Sequence, residues 1–368
     1  MHIADPVDHV GADAVVMRAG EELDIDTLRD YLAPVLDVPL TDLRIRQFPH
    51  GFSNLTYLLS VTSSSGSSRE RRWVLRRPPF GNRVKSAHDM GREFRVLQAL
   101  QPVFSPAPRP LHFCDDHAVL GCDFYLMSCT EGIIVRSREH PARNRLDPSQ
   151  VRQQFFVMFD GLAQLHSIDP ATVGLESLGR PQGYVERQVE GWCRRYRMAA
   201  TPDAPDFEVI MRWLDDHKPA SSPAARILHN DFKLDNVVWS EDGALVGILD
   251  WEMATVGDPL LDLGCALGYW AEATDPEFYR DVCAMPTDVP GAPTRAEIVA
   301  RFSEQTGLKV DCFDFYLCFG MFRLAVIAQQ IYYRYCHGLT NDARFVRMIS
   351  KVSTLHGMCE RLIARSDL

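Results

Sequence analysis

The sequence lacks several patterns that would place it in a class at once. Its 368 residues contain no G-x-G-x-x-G segment and no Walker-type G-K-[ST] segment, which excludes two common phosphate-binding loops. No run approaches the ~20 uninterrupted apolar residues that a membrane-spanning helix needs. The first residues, MHIADPVDHV, have neither the basic nor the apolar region of a secretory signal. We therefore expect a cytoplasmic protein with no membrane partner.

Paired cysteines and excess positive charge are also missing. The ten cysteines form no C-x-x-C pair, so they indicate buried thiols in a reducing compartment rather than a zinc site or a disulfide framework. The formal net charge is -10, whereas a nucleic-acid partner normally requires a basic face. The 46% apolar and 24% charged residues are an ordinary globular balance. The composition predicts a globular protein that does not bind nucleic acid.

Hydrophobic periodicity divides the chain into two parts. Apolar and β-branched runs in the first third predict strands at 43–48, 55–62, 72–77, 110–114 and 122–128. Helical spacing marks 24–37, 88–100, 151–167 and 312–335, and Thr294 with Glu297 has the spacing of a capping box. A length of 368 residues favours two domains at roughly 150 residues each. The pattern predicts an α+β chain with a small antiparallel-sheet lobe followed by a larger, mainly helical lobe.

The segment from His229 to Asp250 concentrates oxygen-bearing side chains. Residues 229–236 read HNDFKLDN, and two apolar runs follow on either side of Asp242-Gly243, a strong hairpin signal. A two-residue turn there places Asn236 opposite Leu249, with Asp250 one step beyond. Asp231 lies in the loop that leads into this open end. Any one of these acids could be an ordinary loop residue, but the spacing suits phosphoryl transfer, which needs one carboxylate at the acceptor hydroxyl and oxygen ligands for magnesium.

Three segments carry a resemblance to a known family. HNDFKLDN resembles the H-G-D-x-x-x-x-N catalytic loop of aminoglycoside phosphotransferases and choline kinases. ILDWE at 248–252 resembles their I-D-W/F segment, and GDPLLDLG at 257–264 resembles their G-D-P-x-x-D-L. The likeness covers roughly residues 40–340. It implies a two-lobed protein-kinase-like fold that uses ATP and Mg²⁺, with Asp231 as catalytic base and Asn236 and Asp250 as metal ligands.

Neighbouring residues of the same motifs are also candidates for a role. Lys233 matches a lysine of many protein-kinase loops and would neutralise charge on the transferred phosphoryl group, although a solvated loop lysine is equally common. Asn230 stands where the family usually has glycine, and asparagine tolerates unusual backbone angles better than most residues. Asp258 and Asp262 are candidate acids of the site. We expect a structural role instead, with Asp258 capping a helix that begins at Pro259.

The expected nucleotide site begins in the first lobe. QFPHGFSNLTYLL at 47–59 resembles the family's G-x-S-N-x-T-Y turn, which implies that Ser53 and Asn54 lie near the phosphates. In RWVLRRPP, Val74 and Arg76 share one strand face, as in the kinase V-A-I-K strand. Val74 would then cover the adenine and Arg76 would bind phosphate. Arg77 remains the competing candidate.

Two further segments complete that expected site. Glu93 is the expected ion-pair partner of Arg76 from the helix at 88–100. FYLMSCTEG at 124–132 resembles the family's connection between lobes, so Met127 would gate the pocket and the backbone of Ser128 and Thr130 would bond the adenine edge. The implied organisation is a nucleotide-binding lobe at 1–127, a hinge at 128–132 and a catalytic lobe at 133–368.

The predicted activity is transfer of the γ-phosphate of ATP to a hydroxyl of a small molecule. The V-L-R-x-P-P strand and the D-W-E segment resemble kinase-like domains related to those fused to certain acyl-CoA dehydrogenases, which implies an acyl-type hydroxy metabolite; an aminoglycoside-like alcohol stays open. The alternative is a nucleotide-binding pseudokinase or scaffold, against which the intact Asp231, Asn236 and Asp250 argue. A thiol or zinc hydrolase would need ligand spacing that the cysteines lack. For Arg323, packing is more common than contact with an anionic substrate.

Overall fold

The computed structural model describes residues 13–49, 54–62, 70–80, 89–137, 147–219, 224–310 and 312–368. They form two compact units, the first drawn from Met1–Ile134 and Asn236–Ala254 and the second from Val135–Asp235 and Thr255–Leu368. The predicted boundaries placed 236–254 in the catalytic lobe, and the structure differs there. The reason is backbone pairing within the first unit: Trp239 exchanges two hydrogen bonds with Ile133 (2.7 and 2.8 Å), and Ile248 N–H donates to the Pro106 carbonyl at 2.8 Å.

A five-stranded antiparallel sheet is the centre of the first unit. Its strands run in the order β1-β2-β3-β5-β4. They are β1 (Arg44–Gln47), β2 (Leu55–Val61), β3 (Arg71–Arg77), β4 (Pro110–Cys114) and β5 (Phe124–Ser128). Each of the five predicted strands is therefore present, with ends within two residues of the prediction.

Two predicted helices and one unexpected helical turn accompany this sheet. They are α1 (Ile25–Leu36), α2 (Met90–Leu100) and α3 (His117–Leu120). Asp24 and Asp89 cap the first two by accepting a backbone N–H, because the first turn of a helix leaves these donors unsatisfied. The turn α3 stands where a polar turn without helix was expected. Leu28 and Leu32 of α1 pack in one core with the apolar side chains of the strands.

The hairpin of the first unit has a longer turn than predicted but the predicted pairing at its open end. Strands β7 (Val237–Trp239) and β8 (Leu245–Ile248) are joined by a three-residue loop closed between Ser240 and Ala244, with Gly243 at φ 82°. A bulge after Val238 then restores the register. Leu249 N–H donates to the Asn236 carbonyl at 2.8 Å, so Asp250 does follow the residue opposite Asn236.

The second unit is mainly helical. Its helices are α4 (Val151–Ser167), α5 (Tyr184–Ala199), α6 (Glu208–Asp216), α7 (Pro259–Leu267), α8 (Glu277–Arg280), α9 (Arg295–Thr306), α10 (Asp314–Cys336) and α11 (Met348–Arg365). Strands β6 (Arg226–Leu228) and β9 (Thr255–Gly257) form a short antiparallel pair. The capping box predicted at Thr294 and Glu297 is present.

Helix α10 is the central apolar element of this unit. By length and composition alone it could cross a membrane, but 78% of its apolar window is buried inside the protein. It packs so tightly on α7 that a Cβ added to Gly320 would overlap the backbone of Gly264. The close approach of the two helices determines how deep in the second unit the polar residues of α10 lie.

Candidate active site

Arg76 is the centre of a buried charge network in the first unit. Strand β3 carries it, and its side chain is 8% exposed. Its guanidinium lies 2.7 Å from Glu93 of α2, 3.0 Å from Asp250 and 3.2 Å from Glu252. Burial opposes its charge, but the three carboxylates outweigh that cost and raise the pKa of Arg76. The structure therefore contains the expected pair of Arg76 with Glu93 and adds two acids that follow β8.

Arg77 points to a different environment. Its guanidinium lies 3.7 Å from the centre of the Phe80 ring and donates to the Pro78 carbonyl at 3.2 Å. Val74 is buried and pairs with Met127 of β5, so period-2 alternation puts Val74 and Arg76 on one face as expected. Of the two arginines, Arg76 is the one beside Asp250.

The expected phosphate turn is described only in part. Ser53 lies outside the described residues. Asn54 is 3% exposed, and its amide nitrogen donates to Glu252 at 2.7 Å. This contact places the Asn54 side-chain amide on a carboxylate of the same unit, and the expected position of Asn54 near the phosphates stays a prediction.

The two backbone positions expected at the adenine edge differ from each other. Ser128 N–H donates to the Arg109 carbonyl at 2.8 Å, and the Ser128 hydroxyl accepts from Arg109 N–H at 3.1 Å. The Ser128 N–H is thus bonded to Arg109, and the expected contact of the Ser128 backbone with the adenine edge stays a prediction. Thr130 lies beyond the end of β5, outside the ladder, and its role stays a prediction.

The donor chemistry at the open end of the hairpin fits a magnesium ion. Asp250 supplies a carboxylate whose side chain is 33% exposed, and Asn236 supplies an amide oxygen. Magnesium commonly takes one or two protein ligands of this kind and completes its shell with phosphate oxygens and water. Within the described ranges, no group of three or more His, Cys, Asp or Glu residues forms a self-sufficient metal site. A metal held here would therefore depend on the phosphates of a nucleotide.

A buried carboxylate holds the start of the loop that contains Asp231. Asp262 of α7 accepts the backbone N–H groups of His229 (2.8 Å) and Asn230 (2.9 Å), and His166 of α4 lies 3.0 Å from it. Burial opposes ionisation, but these hydrogen bonds lower the pKa of Asp262. Asn230 adopts φ 62°, the left-handed conformation that glycine adopts readily, which explains how asparagine fills this position.

The expected structural roles near α7 are confirmed. Asp258 caps this helix by accepting Leu260 N–H at 2.8 Å, with Pro259 at the first helical position. Asp262 is fully buried behind the loop rather than open to a substrate. Asp258 therefore stabilises the start of α7, and Asp262 positions the loop.

Asp231 faces a cation and a phenol within the second unit. Its carboxylate lies 3.1 Å from Lys233 Nζ and 3.4 Å from the Tyr269 hydroxyl, and its side chain is 18% exposed. Asp235 is a second partner of Lys233 at 3.8 Å. Burial opposes the charge of Lys233, but the two aspartates outweigh it and raise the pKa of the lysine. Lys233 is therefore a charged, fixed neighbour of Asp231 and not a solvated lysine.

Two residues beside the predicted site had no role in the sequence analysis. Glu252 links Arg76 to Asn54, and the D-W-E segment that contains it was the only signal available. Tyr269 contacts both Asp231 and Lys233, whose Nζ lies 5.5 Å from the centre of its ring. Burial, followed by the charge of Asp231, raises the pKa of Tyr269, so it stays a neutral donor. No sequence pattern distinguished this tyrosine from a core aromatic.

Comparison with known proteins agrees with this geometry. The chain is 34% identical over 326 residues to acyl-CoA dehydrogenase family member 10 of Mus musculus, covering 86% of this chain but only 29% of that protein. A solved structure from Ralstonia eutropha, provisionally assigned as an aminoglycoside phosphotransferase, is 26% identical with a TM-score of 0.77 and covers 94% of this chain and all of its own. Choline kinase of Cryptosporidium parvum shares the fold at 10% identity, with a TM-score of 0.62, covering 93% of this chain and 96% of its own.

These likenesses confirm the expected α+β, protein-kinase-like fold, with a small antiparallel-sheet unit and a larger, mainly helical one. The chain spans less than a third of the length of the mouse relative, so that protein's other parts have no counterpart in the match. A family model described as the phosphotransferase enzyme family matches residues 44–298, which include both the Arg76 network and the Asp231 loop. The chain belongs to the phosphotransferase enzyme family, APH.

Proposed function

We propose that the protein transfers the γ-phosphate of ATP to a hydroxyl group of a small molecule, with Mg²⁺ as the metal. The observation that carries this proposal is the set of contacts around the Asp231 side chain. It is a carboxylate on a rigidly held loop, partly open to solvent, with Lys233 and Tyr269 within 3.4 Å. Family membership and the kinase-like fold supply the reaction class.

The residues of the first unit would hold the nucleotide. Arg76 is a guanidinium that stays charged and can bind phosphate oxygens through two N–H groups. Glu93, Asp250 and Glu252 orient it. Asn236 and Asp250 would hold the metal, which supplies charge neutralisation at the phosphates when bound. Asp250, which lies 3.0 Å from Arg76, would serve both that guanidinium and the metal.

Asp231 would act on the acceptor. It accepts a hydrogen bond from the hydroxyl and takes its proton as the oxygen bonds to the γ-phosphorus. The bond from that phosphorus to the bridging oxygen breaks, and ADP leaves with the electron pair. Lys233 would offset negative charge on the transferred group, and the Tyr269 hydroxyl would orient the carboxylate; their contacts with Asp231 support both roles. Asp262 contributes by holding the backbone of the loop.

The acceptor is proposed from the relatives. Similarity to proteins named as acyl-CoA dehydrogenase family members favours a hydroxyl on an acyl-type metabolite, with an aminoglycoside-like alcohol as the second class to test. A pseudokinase would bind nucleotide and transfer nothing. The intact Asp231, Asn236 and Asp250 support turnover.

The substitution Asp231→Asn tests the proposal. It keeps the shape of the side chain and removes the basicity, so turnover should fall by about 10²–10⁴-fold. ATP affinity should change by less than roughly 1 kcal/mol, because the nucleotide contacts lie elsewhere. The measurements are ADP formation over a panel of alcohols and calorimetric ATP binding. Asp235→Asn removes a charge from the same loop and should cost far less turnover. Retained activity in Asp231→Asn would reject Asp231 as the base, and lost ATP binding would show that it supports the loop instead.

A further inference from the structure

Arg323 of α10 is a buried cation to which the proposed reaction gives no part. Its Nη2 donates to the carbonyl of Asn230, 93 residues earlier in the chain, at 2.7 Å. Burial opposes the charge of Arg323, but Cys265, Tyr269 and Asp231 outweigh that cost and raise its pKa. The loop that contains Asp231 is therefore contacted by a donor that stays charged.

The carbonyl that Arg323 binds belongs to the peptide unit directly before Asp231. The N–H of the same unit, that of Asp231, donates to His229 Nδ1 at 3.2 Å. A peptide unit is planar, so contacts at its oxygen and at its N–H together fix the orientation of the plane. The side chain of Asp231 extends from the residue that ends this plane. The two contacts therefore determine the direction in which that side chain leaves the backbone.

Asn230 has a backbone conformation that needs support from its surroundings. Its φ of 62° is left-handed, which costs free energy at a residue other than glycine. Asp262 of α7 accepts the N–H of Asn230 at 2.9 Å, and Arg323 of α10 binds its carbonyl. The Tyr184 hydroxyl donates to its side-chain oxygen at 3.4 Å. Two helices thus hold the backbone of Asn230, one at each polar group.

The packing of α10 fixes where the Arg323 side chain ends. Gly320 precedes it by one helical turn, so both lie on one face of the helix. A Cβ on Gly320 would overlap the backbone of Gly264 of α7. The guanidinium carbon of Arg323 lies 5.2 Å from the centre of the Trp192 ring, within the range of a cation–π contact. Helix α10 therefore presents Arg323 to the loop from a fixed position.

We propose that Arg323 is a positioning residue of the phosphotransfer, which directs the Asp231 carboxylate towards the acceptor hydroxyl by holding the Asn230 carbonyl. This inference rests on the proposed function, in which Asp231 is the base. The family model matches residues 44–298, and Arg323 lies beyond them. Arg76, the proposed phosphate-binding residue, belongs to the first unit, whereas Arg323 belongs to the second. Loss of Arg323 should therefore lower turnover and leave ATP binding in place.

The first test separates turnover from binding. Arg323→Met removes the charge and the donor, and ADP formation with an accepted alcohol should fall by about 100-fold, as for a base displaced by about 1 Å. The dissociation constant for MgATP should change by less than about twofold. Arg323→Lys keeps the charge and a donor, so its turnover should stay within about tenfold of the wild type. Arg323→Gln ends before the position of Nη2 and should show the full loss, so it replaces Arg323→Met if that variant does not fold.

Gln329→Met is the matched control on the same helix. Gln329 is buried, and its Nε2 donates to the Ala199 carbonyl at 2.9 Å and to the Thr201 hydroxyl at 3.1 Å. The variant removes buried hydrogen bonds of α10 and should lower the denaturant midpoint. Turnover of the folded protein should stay within about twofold of the wild type.

A double-mutant cycle shows whether Arg323 acts through Asp231. In an Asp231→Asn background the base is already absent. Arg323→Met should then lower the remaining ADP formation by less than about threefold, because residues that act as a unit are not additive. A general structural defect would instead multiply the two losses.

Hydrogen exchange measures the loop without turnover. The amides of residues 229–231 should exchange about tenfold faster in Arg323→Met than in the wild type, because local opening of the loop costs less. Gln329→Met should leave their rates unchanged. Mass spectrometry of peptides that cover this segment makes the comparison.

Four results would overturn the inference. They are undiminished turnover in Arg323→Met, MgATP binding lost together with turnover, multiplied losses in the double variant, and unchanged exchange at 229–231. Failure of the proposed function has a separate signature, which is wild-type protein that transfers phosphate to no alcohol. Faster exchange in Arg323→Met would then still show that Arg323 holds the loop, and the kinase would be rejected. Full turnover in Asp231→Asn would reject both the base and the positioning role.

Discussion

Arg76 neutralises three carboxylates at once, and one of them, Glu93, is buried at 2% exposure. Arg76→Ala should therefore destabilise the protein by about 3–5 kcal/mol, because it leaves an uncompensated buried charge.

This loss of stability should depend on pH. Burial already raises the pKa of Glu93, with Arg76 opposing it. Removing Arg76 raises that pKa further above its unfolded value, so the folded state of the variant binds the extra proton. The difference in free energy of unfolding between the wild type and the variant should therefore become smaller as the pH falls from 8 towards about 4.5. Urea unfolding across this range measures it.

A milder substitution of Arg76 tests its role in nucleotide binding apart from its role in stability. Arg76→Lys keeps the charge but loses the planar fork, so MgATP affinity should fall by about tenfold. Arg77→Lys is the matched control, because the described contacts of Arg77 are with Phe80 and the Pro78 carbonyl. An equal or larger loss in Arg77→Lys would transfer the phosphate role to Arg77.

At the scale of elements, the contact between α7 and α10 places Arg323. A Cβ on Gly320 would overlap the Gly264 carbonyl, so Gly320→Ala forces the helices apart. Overpacking of this kind typically costs about 1–3 kcal/mol. Gly357→Ala in α11 is the control, since nothing lies within 4 Å of its added Cβ and helix propensity should stabilise it by about 0.5–1 kcal/mol. Denaturant midpoints compare the two variants, and a neutral Gly320→Ala would show that the helices pack less tightly than described.

At the scale of the whole molecule, nucleotide binding should appear as stabilisation. A ligand present at 100 times its dissociation constant contributes about 2.7 kcal/mol. ATP with Mg²⁺ should therefore raise the melting temperature by several degrees, and excess chelator should remove most of that gain. In Asp250→Ala the gain from Mg²⁺ should largely disappear, because the carboxylate ligand is gone. An undiminished magnesium effect in this variant, measured by scanning calorimetry, would reject Asp250 as a ligand.

The sequence by itself determined whatever depends on local backbone geometry. Period-2 alternation put Val74 and Arg76 on one strand face, and the hairpin brought Asp250 next to the pairing of Asn236 with Leu249. Helical spacing predicted the bounds of α4 and came within two residues of those of α10. The turn itself was predicted one residue too short. The bulge after Val238 cancelled that error at the open end.

Only the tertiary structure decided which distant side chains meet. Three hydrogen bonds join segments that are 19 to 198 residues apart in the sequence. They are those of Asn54 with Glu252, of Ser128 N–H with Arg109, and of Tyr269 with Asp231. The membership of Asn236–Ala254 in the first unit depends on pairing with Ile133 and Pro106, which no local pattern records. Strand and helix periodicity fix where a side chain points relative to its own element. Which residue that side chain contacts depends on how the elements pack, and the packing is determined by burial and charge over the whole chain.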